Sequence, residues 1–250
     1  MKPLFTSILF LCLVAVAVGQ VPDQPLTDAN EVMARVLLRD TERESQSAGY
    51  AGHRRYIFDN DKMHKHAELV VDVLCETNGT KHFSVITEDG WKSANKHVLK
   101  KMLESESETS TPEIRPQTRL TADNYTFTLV QLEVIKDRLT YVIDVTPKRR
   151  DKYLMEGRVW IDAQDFAMVR AEGQPAHNPS FWTKSIHFVQ QYQKSGSYWF
   201  PVSTMSVTEA RFFGTTKVNI NYFDYQPNSG SDVAARHSTV HFQEVSHVTN

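Results

Sequence analysis

The chain has 250 residues, 40% of them hydrophobic, with 28 basic against 30 acidic side chains and a formal net charge of −2. That near balance leaves no electrostatic footprint for nucleic acid or for an anionic membrane surface, while the apolar content suffices for a real core. Of its two cysteines, Cys12 and Cys75, the first falls inside a targeting pattern, so no intramolecular disulfide is expected.

Lys2 precedes an apolar run from Leu4 to Val18, and Ala17-Val18-Gly19 places small residues at −3 and −1. This is the pattern of an export signal over residues 1–19, cleaved after Gly19, which makes the remainder periplasmic or secreted. The run is about 15 residues, short of the roughly 20 that a membrane-spanning helix needs. Residues 20–250 are read as one β-rich domain, since all-β domains reach about 200 to 250 residues.

From Leu26 to about Ser47 the spacing of Val32, Val36 and Leu37-Leu38 predicts an amphipathic helix, N-capped by Thr27 or Asp28. Strands are expected over Tyr50 to Asp59, Leu69 to Glu76 and Lys81 to Thr87, the last two joined by a primed turn at Asn78-Gly79. Trp91 to about Ser107 is helix-compatible, with Val98, Leu99, Met102 and Leu103 forming a narrow apolar stripe. Glu104 to Pro116 turns to Glu, Ser, Thr and Pro and is expected to be a mobile loop, so residues 91–116 form a helical or mobile insertion. Residues 229–250 are read as a C-terminal strand or tail.

A meander of seven strands follows, over Tyr125 to Val134, Leu139 to Thr146, Tyr153 to Ile161, Phe166 to Gly173, Phe181 to Gln193, Tyr198 to Thr208 and Thr215 to Tyr225. Short turns bound each, as in sequential antiparallel pairing. Neither alternating face is wholly polar. A flat sheet open to water needs only one apolar face, so the pattern predicts a mainly β (α+β) fold: a strongly curved antiparallel sheet, an unclosed barrel covered or plugged by the helices.

Signal, N-terminal helix, hairpins, helical insertion and meander, with Tyr141-Val142-Ile143-Asp144-Val145-Thr146-Pro147, Gly157-Arg158-Val159-Trp160-Ile161-Asp162 and Trp199-Phe200-Pro201-Val202-Ser203, resemble the outer-membrane lipoprotein-sorting protein superfamily. The likeness is to an exported branch other than the dedicated lipoprotein carrier, which is shorter. It implies a half-barrel with an apolar cavity for acyl chains. The partners implied are an acyl chain, lipid or lipoprotein, with transient membrane contact. An alternative is an envelope sensor or scaffold domain that binds an envelope protein partner through the same fold. The chain is expected to be monomeric and to use no cofactor, no metal and no nucleic acid.

Aromatic residues in the meander are the candidate ligand-lining side chains, each large enough to dominate local burial. Trp182, Ile186, Phe188 and Tyr192 share one face of their strand, and Trp199 and Met205 share one of theirs; with Trp160 and Tyr222 they complete the expected site. Other chemistry has weaker support. His64 and His66 would share a strand face, and His237, His241 and His247 lie in the tail, but no cysteine or carboxylate accompanies them at ligand spacing. Asp162 and Asp165 flank a turn, the place that Asp favours, and Cys75 sits among Val71, Val73 and Leu74 as a small core hydrophobe. No catalytic residue is assigned, and an exported hydrolase is the remotest reading.

Overall fold

The structure is a computed structural model that describes residues 25–178 and 183–228. The expected signal, the 229–250 tail with its three histidines, and Phe181 and Trp182 lie outside the described residues.

The first helix, α1 (Ala29–Ser45), starts where its cap says it should: the Asp28 side chain accepts from the Asn30 backbone N–H at 2.9 Å. It turns Val32, Met33 and Val36 inward, while Leu38 faces solvent. Three strands follow, β1 (Tyr50–Asn60), β2 (Lys65–Cys75) and β3 (Lys81–Gly90). The β2–β3 connection differs from the expected primed turn. The Gly79 N–H donates to the Glu76 carbonyl at 3.0 Å, the Glu76 N–H to the Thr80 carbonyl at 2.9 Å, and of the two central residues only Gly79 takes a left-handed φ, +90°. A turn closed by one left-handed glycine matches strand twist with a three-residue loop.

The insertion forms a continuous helix of 19 residues, with a π-helical turn over Asn95–Leu99 between α-helical Lys92–Ala94 and Lys100–Ser110. It therefore runs through Ser110, into the segment expected to be a mobile loop. Polar composition there serves tertiary bonds: the Ser107 hydroxyl donates to the Lys81 carbonyl and the Lys81 N–H donates to the Ser110 hydroxyl, both at 2.8 Å. A 3₁₀ turn at Arg115–Gln117 leads to the meander.

The seven meander strands are β4 (Tyr125–Ile135), β5 (Arg138–Pro147), β6 (Met155–Asp162), β7 (Met168–Pro175), β8 (Thr183–Ser195), β9 (Tyr198–Ala210) and β10 (Gly214–Pro227). All ten strands join one antiparallel sheet in the order β3-β2-β1-β10-β9-β8-β7-β6-β5-β4, curved and not closed into a barrel. Register shifts in β1–β10, β2–β3, β4–β5, β6–β7 and β8–β9 add local bend. Among the described strands the one pairing distant in sequence is β1 with β10, which sets Tyr56 opposite Ile220.

This strand order requires a long connection between its two edges. Strands β3 and β4 are neighbours in sequence but lie on opposite edges, so the chain between them must cross the whole sheet. It crosses on the side that carries α1. Two separate apolar cores result. In one, Val32, Met33 and Val36 of α1 meet Tyr141, Ile143, Val159 and Ile161; in the other, Leu99 and Leu103 of the insertion helix meet Tyr56, Leu69, Val71 and Ile220. The expected stripe of Val98, Leu99, Met102 and Leu103 all belongs to the second.

Candidate functional site

Between the two cores the covered face is hollow. A cavity of about 620 Å³ opens between α1 and the insertion helix, with an adjoining lobe of about 540 Å³ toward the β2–β3 loop. Strands β8 and β9 supply its rings, Tyr192, Tyr198, Trp199 and Phe200, and β10 adds Tyr222. Phe200 packs edge-on to Tyr50 with centroids 5.6 Å apart and lies 5.5 Å from Tyr225. Burial pushes the hydroxyl pKa of Tyr50, Tyr56, Tyr192, Tyr222 and Tyr225 upward, so these rings stay neutral and donate or accept as polar groups within an aromatic wall.

The expected cavity was apolar; the observed one is amphipathic. Arg54 of β1 is only 2% exposed, and its guanidinium grips Glu106 of the insertion helix at 2.6 and 3.0 Å while donating to the Tyr225 hydroxyl at 2.7 Å. Lys81 of β3 reaches the same carboxylate at 2.7 Å. Burial opposes ionisation of Glu106, but Lys81 and Arg54 outweigh it and hold its pKa well below the usual carboxylate range. On the opposite wall, Glu44 of α1 takes both Arg115 and Arg119 from the crossing segment. Alternation within strands cannot announce such clusters, because each member comes from a different element.

Of the eight expected ligand-lining residues the structure describes seven, all but Trp182, and it separates them. Tyr192, Trp199 and Tyr222 line the cavity. Phe188 instead packs against the core beneath α1, and Ile186, two residues earlier on β8, is half-buried and not part of the lining. Trp160 is buried elsewhere: its Nε1–H donates to Glu133 at 2.9 Å and Arg170 lies 4.7 Å from its ring. Met205 is 48% exposed, away from the cavity. The cause is a bulge: β9 pairs Pro201 with Tyr192 and Ser203 with Gln191, skipping Val202, so strict alternation from Trp199 fails beyond it. Thr204 faces the cavity wall in Met205's stead, its hydroxyl 2.9 Å from that of Tyr222.

The remaining candidates have structural roles. Asp162 accepts the backbone N–H groups of Gln164 and Asp165 at 3.0 and 2.7 Å, as a turn aspartate does, and binds Arg138 at 2.7 Å. His64 sits in the β1–β2 turn with φ +49° and so does not share a strand face with His66, which bonds Asp59 at 2.8 Å. Among the described residues no three His, Cys, Asp or Glu side chains converge as a metal site would require. Cys75 is buried, and burial raises its thiol pKa, which disfavours the reactive thiolate.

A family model described as a family of unknown function, DUF5686, matches residues 93–228. The chain belongs to that family. The match begins in the insertion helix and ends with β10, so it takes in the lid and the whole meander but not α1. No curated protein matches the sequence. Similar solved structures include a LolA superfamily protein from Nitrosomonas europaea, 11% identical over 78% of this chain and 93% of that one, with a TM-score of 0.42. Another is a putative outer membrane lipoprotein-sorting protein domain from Vibrio parahaemolyticus, 11% identical over 81% and 93%, with a TM-score of 0.41. A DUF1329 family protein from Desulfovibrio piger is 12% identical over 82% and 95%, with a TM-score of 0.42. The first two bear the superfamily name that the strand motifs suggested; at these scores the likeness carries no argument about ligand, reaction or partner.

Proposed function

We propose that this chain is an exported binding protein that takes an acyl chain of a lipid or lipoprotein into the cavity between its two helices, serving envelope lipoprotein sorting or transport without covalent chemistry. The observation that supports this is the hollow itself, whose volume of about 620 Å³ lies within the roughly 300 to 1,000 Å³ range of small-molecule sites. Rings from β8, β9 and β10 form one wall. Each methylene moved from water onto such a wall gains about 0.8 kcal/mol, so 8 to 10 methylenes offset association costs of several kcal/mol. The insertion helix and α1 act as the gate, each with an apolar stripe that keeps its own contacts when no ligand is present.

Displacement of a neutral naphthylamine dye from the purified chain by fatty acids or lipopeptides tests this reading. Displacement that strengthens with chain length is expected; none at any length overturns it. A second reading, a scaffold domain for an envelope protein, is favoured by one feature. On edge strand β4, Leu132 and Val134 are 42% and 64% exposed, with Leu139 of β5 exposed opposite Val134, and an open apolar edge invites strand addition. Native material that carries a co-purifying protein and no lipid by mass spectrometry would favour that alternative.

A further inference from the structure

The charges in the cavity do not balance. Among the described residues, Arg43, Arg54, Lys81, Arg115 and Arg119 line it against Asp40, Glu44 and Glu106. Each of two carboxylates is shared between two cations: Glu106 between Arg54 and Lys81, and Glu44, through one oxygen, between Arg115 and Arg119. The adjoining lobe adds Glu76, already bonded to His82 at 2.9 Å.

The two ends of the cavity differ in what their cations have left to give. Arg54 is saturated by Glu106, Tyr56 and Tyr225 and by the faces of Phe83 and Tyr222. Arg119 carries five N–H donors, and among the described residues its side chain makes one hydrogen bond, to Glu44 at 3.2 Å. Arg115 bonds Glu44 and, at 3.3 Å, the Asn78 carbonyl. Both side chains are about three-quarters buried, 27% and 26% exposed, and both line the main cavity and its lobe. Excess charge removed from water is costly unless an opposite charge joins it, and paired guanidiniums are well shaped for a carboxylate or phosphate.

We propose that Arg115 and Arg119 form an anion site for the carboxylate or phosphate head of an amphiphile whose chain lies along Tyr192, Phe200 and Tyr222. This deepens the acyl-chain reading and rests on it. Glu44 is then the internal anion that holds the two arginines until a ligand head competes for them. Asp40, one helical turn before Glu44 on α1, is paired with Arg43 at 2.9 Å, so it offsets that cation and not Arg115 or Arg119.

The test measures competition with the same neutral dye at pH 8, using dodecanoate, dodecanol and inorganic phosphate on the full chain. Dodecanoate is expected to bind about ten-fold more tightly than dodecanol, the scale of one charge-assisted contact. Arg119→Gln is expected to bring the two ligands to near parity, while Arg158→Gln, which removes an equal charge paired with Asp144 away from the cavity, leaves the preference intact. Glu44→Gln is the independent check should Arg119→Gln fold poorly: freeing both arginines is expected to tighten dodecanoate and leave dodecanol unchanged. Equal affinity for acid and alcohol, or weaker dodecanoate binding by Glu44→Gln, overturns the anion site while leaving the chain site standing. Displacement by neither amphiphile overturns both. Phosphate competing as well as dodecanoate keeps the anion site but assigns it to a free anion, overturning the amphiphile.

Discussion

Arg54 and Glu106 stand 52 positions apart in the chain and meet in a two-pronged ion pair, 2.6 and 3.0 Å, that fastens the insertion helix to β1, the third strand from one edge of the sheet. Arg54 is a buried charge whose compensation comes from the lid. Removing one partner of such a pair strands the other. Glu106→Gln is therefore expected to cost about 3 kcal/mol, the low end of the range for buried pairs because Glu106 is partly exposed, and to lower the thermal midpoint by about 6 to 12 °C. Calorimetry on the two proteins checks this; an unchanged midpoint would mean that the pair contributes nothing.

The same pair sets an acid limit. Against burial, Lys81 and Arg54 depress the Glu106 pKa below its ordinary 4.5, so the folded state binds that proton less readily than the unfolded chain. Its contribution is complete above about pH 4.5 and is lost as pH falls toward the folded value. Lys81 shifts upward, its pairing with Glu106 outweighing burial, so its contribution holds at neutral pH and is lost only as pH rises above the ordinary lysine range. Urea midpoints at pH 7, 5 and 3 should show wild type and Glu106→Gln converging only at the acid end. Parallel curves across that range would contradict the assignment.

Leu99 is fully buried where the insertion helix meets the sheet. Leu99→Ala should cost about 2 to 5 kcal/mol, and because the lost contacts hold the lid down, dye uptake should rise in the folded protein. A destabilised variant with wild-type dye binding would separate packing from gating.

Gly79 couples a turn to the cavity. Its φ of +90° disfavours any side chain, and an added Cβ would lie 2.3 Å from Arg115 Nη1. Gly79→Ala is expected to cost about 1 to 2 kcal/mol through the left-handed backbone and to push Arg115 out of place, weakening dodecanoate more than dodecanol. Equal loss for both ligands would count against Arg115 as a headgroup contact.

Among the described residues Trp199 is the one tryptophan in the cavity lining. A ligand should change its emission, and Trp199→Phe should remove most of that response while the fold persists. An undiminished signal in the variant would mean that the ligand sits elsewhere.

Much of the fold was legible because it is written locally. Asp28 as one of two expected helix caps, the Val32 and Val36 stripe, the Leu99 and Leu103 stripe, and nine of the ten strands to within a few residues follow from local signals that span only a turn or a pleat; β2 starts at Lys65, four residues before the expected Leu69. The misses share one cause. At Asn78-Gly79 a single left-handed glycine replaced a primed pair, at Val202 one bulged residue moved Met205 out of the cavity's face, and at Ser107 and Ser110 polar side chains found strand partners. Each depends on what a neighbour in space offers, as does Trp160, whose ring is claimed by Glu133 and Arg170.

Alone, the order of residues determined a curved, two-faced β-sheet with apolar helix stripes to cover it, because alternation and helical spacing are short-range properties of a chain in water. Only the tertiary structure decided that β1 pairs with β10, that the segment between two opposite sheet edges must cross the covered face, and that this crossing brings Arg54, Lys81 and Glu106 together across the hollow from Glu44, Arg115 and Arg119. Charges scattered over α1, β1, β3, the insertion helix and the segment after it interact strongly only once they are brought together and water between them is largely excluded, and folding alone creates that condition.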